Sequence, residues 1–187
     1  MAREQTLVGQ AQAGDAVAFG ELFAAYHGPL TSYLYHLTGD HALADDLAQD
    51  AFLRAYRALP AAGADVSLRP WLYQIATNLA RSHFRRARLL RWLPFTVETP
   101  EPADPRAAND AAALGEREAL TAALRRIGPA HASVLLLRHE QGLSLAETAA
   151  ALGITANAAK TRLFRARHAF IAAWDDLEGA PQQESNR

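Results

Sequence analysis

The sequence predicts an all-α protein made of two small helical domains joined by a flexible linker. Three observations carry the prediction. Alanine occurs 42 times in 187 residues, while Gly and Pro together number 20; this bias favours helix because alanine loses no side-chain entropy on forming one. Apolar residues recur at three- and four-residue steps through most of the chain, the signature of helices with one buried face. One stretch breaks the pattern: residues 94–112 hold Pro94, Pro100, Pro102, Pro105 and four acidic residues, with almost nothing to pack, the make-up of an extended linker. The division is therefore 1–92, a linker over 93–112, a second block over 113–178, and a polar, frayed tail over 179–187.

In the first block a short helix covers Thr6–Ala13. Asp15 caps a second helix running to about Leu37, with Phe19, Leu22, Phe23, Tyr26, Leu30, Tyr33, Leu34 and Leu37 on its buried face. Pro29 should kink or split this run, since proline lacks the amide hydrogen and crowds the preceding turn; Gly39 ends it. The third segment, Ala42–Leu59, buries Leu43, Leu47, Ala51, Ala55 and Leu59. A fourth, from about Pro70 to Leu90, buries Leu72, Ile75, Ala76 and Leu79, and Pro70 suits a first helical turn.

The second block opens with a helix near Ala113–Ile127, broken by Gly128-Pro129, and another runs through Val134–His139. After Gly142, Ser144 and Glu147 stand three apart and form a capping box. Leu145, Ala149 and Leu152 line the next short helix, Gly153-Ile154 make a tight turn, and Thr155 caps a final helix. Ala159, Leu163, Ala166, Phe170 and Trp174 form the buried side of that helix. Two short helices around a glycine turn, the second with a basic outer face, make a helix-turn-helix without a wing in a four-helix domain.

Composition removes several classes of function. The absence of cysteine rules out disulfides, thiolate metal sites and cysteine nucleophiles. No run of 18 uncharged apolar residues exists and residues 1–20 lack a secretory signal pattern, so a soluble, cytoplasmic, monomeric protein without membrane insertion is expected. His131 and His139, and His36 and His41, lack further ligands and read as surface or packing residues, so no metal or cofactor is expected. Asp15, Asp40 and Asp46 fall at a cap, a turn and an outer face, not in a paired cleft, and no enzyme activity is expected.

The net charge of -1 hides strong local asymmetry. Residues 70–92 hold five arginines and no acid, whereas 40–50 hold Asp40, Asp45, Asp46 and Asp50 with no Lys or Arg. On the final helix Asn157, Ala158, Thr161, Arg162, Arg165 and His168 share the outer face, with Lys160 and Arg167 at its boundary. Arg presents two parallel donors to guanine, and the boundary cations suit phosphates. On the fourth helix Asn78, Arg81, Arg85 and Arg88 form a stripe with Trp71 and Tyr73 nearby, fit for phosphate contact and stacking on unpaired bases; Arg86 is expected inward or sideways. Asp45, Asp46, Gln49 and Arg57 lie outward on the third helix with Leu53 among them, an acidic surface with an apolar anchor that suits protein docking.

In sequence order, these pieces resemble a bacterial RNA polymerase sigma factor of the sigma-70 superfamily, in its extracytoplasmic-function (ECF) group. The resemblance rests on Asp15-x-x-x-Phe19-x-x-Leu22, on Gly39-Asp40 and Ala44-Asp45-Asp46-Leu47-x-Gln49-Asp50-x-Phe52-Leu53-x-Ala55, and on Trp71-Leu72-x-x-Ile75-Ala76-x-Asn78 followed by Arg85-Arg86. It continues through Gly142-Leu143-Ser144-x-x-Glu147-x-Ala149-x-x-Leu152-Gly153-Ile154 and Lys160-x-Arg162-Leu163-x-Arg165-Ala166-Arg167. It implies core RNA polymerase docking by Asp45, Asp46, Gln49, Asp50 and Leu53. Capture of the melted minus-10 element would fall to the loop 60–69, Trp71, Asn78, Arg81, Arg85 and Arg88, and minus-35 duplex reading to Asn157–His168. The resemblance also implies control by an anti-sigma factor. The chain departs from the usual pattern at Asn157-Ala158-Ala159, at Ser82 and at Ile127-Gly128-Pro129. Two other readings stay open at this point: a stand-alone helix-turn-helix regulator, and a polymerase-binding inhibitor that never initiates.

Overall fold

A computed structural model describes residues 2–63, 66–90 and 115–178, and among these every regular element is helical. The proposed linker over 93–112 and the tail over 179–187 lie outside the described residues. The first unit contains α1 (Ala2–Gln12), α2 (Ala16–Thr38), α3 (His41–Ala58), a 3₁₀ turn at Leu59–Ala61, and α4 (Leu68–Leu90). The second contains α5 (Glu116–Arg126), α6 (Pro129–Leu135) continued by a π turn at Leu136–Glu140, α7 (Leu145–Leu152) and α8 (Ala156–Glu178).

The helix ends follow from local chemistry. Asp15 Oδ1 accepts from the amides of Val17 at 2.8 Å and Ala18 at 3.2 Å, satisfying two donors that the first turn of α2 leaves unpaired. Gly39 stops α2 with φ of 72° and donates its amide to the Tyr35 carbonyl at 2.7 Å; this left-handed conformation favours glycine because it has no Cβ. Asp40 then caps α3 through the Leu43 amide at 3.1 Å. Of the two outcomes expected at Pro29, a kink or a split, the split does not occur: α2 is one helix through that residue. Leu30, Tyr33, Leu34 and Leu37, all buried just beyond it, give the second half enough packing to offset the missing hydrogen bond.

In the second unit Ser144 and Glu147 complete the capping box: the Glu147 amide donates to Ser144 Oγ at 3.2 Å, and the Ser144 amide donates to Glu147 Oε2 at 2.8 Å. Gly153, with φ of 64°, ends α7, and Thr155 Oγ1 accepts from the Ala158 amide to start α8. The helix expected over Val134–His139 starts earlier, at Pro129, and widens into the π turn, where the Gln141 amide reaches back to the Leu136 carbonyl at 2.9 Å.

The largest core crosses the boundary between units. Leu30, Tyr33, Leu34, Leu72, Tyr73 and Ala76 of the first unit pack in one buried cluster with Leu124, Val134, Leu137, Leu143, Ala151 and Leu163 of the second. A smaller cluster under α1 joins Val8, Ala11, Ala18, Leu22, Leu59 and Leu68. Short alanines on α3, α4 and α7 permit close helix approach at the large cluster.

Polar groups continue across the same boundary. Thr77 Oγ1 donates to the Tyr73 carbonyl at 2.7 Å, which leaves the Tyr33 hydroxyl as the donor in its 2.7 Å bond to Thr77 Oγ1. The Tyr73 hydroxyl donates to Gln141 Oε1, and Arg69 donates to the Gln141 carbonyl. Gln141 Nε2 faces the Pro29 carbonyl at 3.5 Å, and His36 Nδ1 pairs with Thr121 Oγ1 at 2.8 Å. Burial raises the Tyr33 and Tyr73 phenols above their ordinary value, so both stay protonated donors across the neutral range.

The Ser144 hydroxyl and amide hold the Glu147 carboxyl below its ordinary value. A depressed folded-state pKa adds stability that is complete above the unfolded value and disappears as pH falls through the folded one. The thermal midpoint of wild type relative to Glu147→Gln should therefore decline from neutrality into the acid range; a difference independent of pH would contradict this.

Candidate polymerase and nucleic-acid interfaces

Three surfaces stand out, each built by one helix. On α3, Asp46, Gln49 and Asp50 are exposed, and Leu53 is 52% exposed. Asp45 is half-buried; it accepts from Gln49 Nε2 at 2.9 Å and lies 3.5 Å from His27 Nε2. The five docking residues expected from the sequence thus share one helix and its outward side. An aromatic group adjoins them. Phe23 packs on Phe52 with centroids 4.7 Å apart, Phe19 meets Tyr56 edge-on at 4.8 Å, and His27 stacks near Phe52. Sequence reasoning placed Phe23 on the buried face; it is instead at the surface, as is Tyr56 at 47% exposure. A run of apolar residues at helical spacing wider than the core needs is the signal that would have found it.

On α4, Asn78 and Arg85 are exposed. Arg86, expected inward or sideways, is also exposed, because the narrow apolar stripe of α4 leaves that position to solvent. Arg81 is half-buried and donates from Nη1 to the Leu152 carbonyl at 3.2 Å. The Arg88 side chain and Trp92 lie outside the described residues. Trp71 is half-buried against the core. With Val66, Ser67, Pro70 and Gln74 it lines an apolar cleft of about 400 Å³ whose far wall is Ala146, Glu147 and Ala150 of α7.

On α8, Asn157, Ala158, Lys160, Thr161, Arg165, Arg167 and His168 are exposed, and Arg162 is half-buried. Ala159, Leu163, Ala166, Ala173 and Leu177 face the core, while Phe170 and Trp174 are only half-buried. The basic side is thus open to a partner. Asn157, Ala158, Thr161, Arg162 and Arg165 line one cleft of about 400 Å³ together with His131 of α6. The sequence reads His131 as a surface or packing residue and does not join it to this face, because its helix begins earlier than the periodicity indicates. Phe164 was also missed; it is 65% exposed beside His168, with ring centroids 4.5 Å apart.

Behind this face the His139 pKa is lowered by partial burial and then by the Arg167 and Arg138 charges. Arginine can only donate, so neutral Nε2 of His139 is the acceptor in its 3.3 Å contact with Arg167 Nη2. The chemistry offered by the three surfaces is recognition: an acidic apolar patch, a stripe of Asn and Arg beside an aromatic cleft, and a basic helix projecting from a helix-turn-helix.

Each of the two units is similar to a known family. Residues 22–89 fit the family described as Sigma-70 region 2, and residues 117–169 fit Sigma-70, region 4. The ECF RNA polymerase sigma factor BldN of Streptomyces coelicolor is 38% identical over 176 residues. The RNA polymerase sigma factor NccH of Alcaligenes xylosoxydans xylosoxydans is 31% identical over 169, aligned across 88% of this chain and 90% of NccH. The chain is an ECF sigma factor of the sigma-70 family. Its alignment with BldN covers 88% of this chain and 63% of BldN. Among solved structures, CnrH in complex with the cytosolic domain of CnrY superposes on this sigma factor with a TM-score of 0.66 at 28% identity, covering 93% of this chain and 98% of CnrH.

Removing the Arg167 charge should relieve part of the pressure on His139. In Arg167→Ala, the His139 pKa followed by NMR should rise toward its ordinary value; an unchanged or lower value would contradict the contact.

Proposed function

We propose that this ECF sigma factor binds core RNA polymerase, directs it to promoters through contacts with the minus-10 and minus-35 elements, and is restrained by an anti-sigma factor. The observation that carries the reading is the separation of three chemically distinct surfaces: those on α3 and α4 fall in the part of the chain similar to Sigma-70 region 2, and that on α8 in the part similar to region 4.

The α3 surface suits the polymerase. Asp46, Gln49 and Asp50 supply charge and hydrogen-bonding groups, and Leu53, Phe23 and Tyr56 supply apolar area that loses water on docking. Asp45 belongs to this surface and is oriented by His27 and Gln49. The α4 surface suits single-stranded DNA: Arg81, Arg85 and Arg88 at phosphates, Asn78 at a base edge, and Trp71 with the loop over 60–69 around an unstacked base. Holding such a base offsets part of the cost of melting the duplex. The α8 surface suits duplex DNA, with Asn157, Ala158, Thr161, Arg162, Arg165 and His168 toward base edges and Lys160 and Arg167 at phosphates. RNA synthesis itself belongs to the polymerase. The solved relative CnrH is in complex with the cytosolic domain of CnrY, which supports a protein partner here, and we assign that partner the restraining role.

The test is transcription from a promoter library with purified core polymerase, with and without the chain. Chain-dependent start sites are expected; their absence despite core binding would overturn the reading. A stand-alone regulator would instead bind duplex DNA tightly without polymerase.

Single substitutions divide the roles. Arg162→Ala and Arg165→Ala should each weaken specific duplex recognition by about 1–3 kcal/mol while leaving core affinity intact. Lys160→Ala should weaken all duplexes alike and lower the salt slope by about 1. Asp46→Ala with Leu53→Ala should reduce core affinity and spare DNA contacts, as measured by core-binding titration; unchanged core affinity would refute the docking assignment.

A further inference from the structure

The similarity to Sigma-70 region 2 begins at residue 22, so α1 stands outside it, and none of the three surfaces uses this helix. Its apolar residues give it a packing role. Val8 and Ala11 are buried against Ala18 and Leu22 of α2, and against Leu59 and Leu68 at the two ends of the connection between α3 and α4. Ala62, Val66 and Trp71 pack around this cluster. The helix therefore underlies the described limbs of the loop over 60–69, and the tryptophan beside them.

One polar side chain goes further. Gln12, the last residue of α1, donates from Nε2 to the Ala62 carbonyl at 3.1 Å and to the Gly63 carbonyl at 3.2 Å. A carboxamide nitrogen carries two hydrogens, so one side chain serves both acceptors. The Gly63 carbonyl also accepts from the Val66 amide at 3.0 Å, and the Ala62 amide donates to the Leu59 carbonyl at 3.1 Å. Gln12 thus meets the backbone where these bonds already constrain it. It stands 50 and 51 residues from its two acceptors, so the contact fixes a loop against a distant helix.

We infer that Gln12 is a positioning residue for base capture: from α1 it holds the Ala62 and Gly63 carbonyls and so sets the loop against Trp71 in the form that receives an unstacked base. The inference rests on the assignment of that loop and Trp71 to the minus-10 strand. Gln12 acts through the loop and not by contact with a base. A loop already in its bound form loses less freedom on capturing a base, and a single pocket shape discriminates better among bases.

The experiment uses holoenzyme assembled from the full chain and purified core polymerase, transcribing promoter libraries randomised separately at the minus-10 and minus-35 elements. Gln12→Met keeps the side-chain length and removes the donor; Gln12→Lys supplies a donor again. The readout is the ratio of start-site use between favoured and disfavoured sequences. For Gln12→Met the minus-10 ratio should fall about fivefold, the effect of losing one net hydrogen bond, while the minus-35 ratio and core affinity stay unchanged. Hydrogen exchange at the Val66 amide should quicken in the same variant. Gln12→Lys should restore most of the minus-10 ratio; its added charge attracts all phosphates alike and cancels in a ratio. An unchanged minus-10 ratio in Gln12→Met overturns the inference, as does a failure of Gln12→Lys to restore it. Equal falls in both ratios together with weaker core binding also overturn it, because they mark general support of the unit. If wild type itself gives no chain-dependent start sites, the proposed function falls and takes the inference with it; if wild type initiates and the variants do not respond, the inference alone falls.

Discussion

Most of this structure depends on one buried hydroxyl chain. Tyr33 on α2 donates to Thr77 on α4, Thr77 donates to the carbonyl of Tyr73, and Tyr73 donates onward to Gln141 after the π turn. The two tyrosine rings meet edge-on with centroids 5.2 Å apart, so the chain is embedded in aromatic and aliphatic packing. Buried polar groups are tolerated when each finds a partner, and they then demand one arrangement of the elements that carry them. Burial that keeps both phenols protonated preserves every donor in the chain. The register of α2 against α4 and the seating of the second unit are thus set by the same three side chains and one amide.

A common core with separate outer surfaces explains how a chain of this size presents several chemically distinct faces. Each long helix is apolar on one side and chemically specialised on the other: acidic with Leu53 on α3, arginine-rich on α4, basic on α8. The apolar sides converge on one cluster, and the specialised sides diverge from it. Caps at Asp15, Asp40, Ser144 and Thr155 fix where each helix begins, and the position of a helix start sets the angular position of every residue beyond it.

Much of this was legible in the sequence because helical periodicity and capping chemistry are local. Asp15, Gly39, the Ser144–Glu147 box and the Gly153 turn act through neighbours within a few residues, so their types and spacing suffice. The outer face of α8 was legible for the same reason. Pro29 does not split its helix because its local penalty is outweighed by tertiary packing that no window of sequence displays. Phe23 and Arg86 were misplaced because a helical pattern gives the direction of a side chain but not how far the neighbouring helix extends to cover it. The seam between the two units was out of reach: Gln141 stands 72 residues from Arg69 and 68 from Tyr73, and nothing in that spacing marks it as their partner.

The solvent-facing side of α8 has a consequence for how such proteins diversify. Asn157, Ala158, Thr161, Arg165 and His168 contribute little to the interior, so exchanging them leaves folding almost untouched. With α8 as the proposed duplex-reading helix, new DNA preferences would be within reach of single codon changes, and descendants of a duplicated gene could acquire distinct target sets without passing through unstable intermediates.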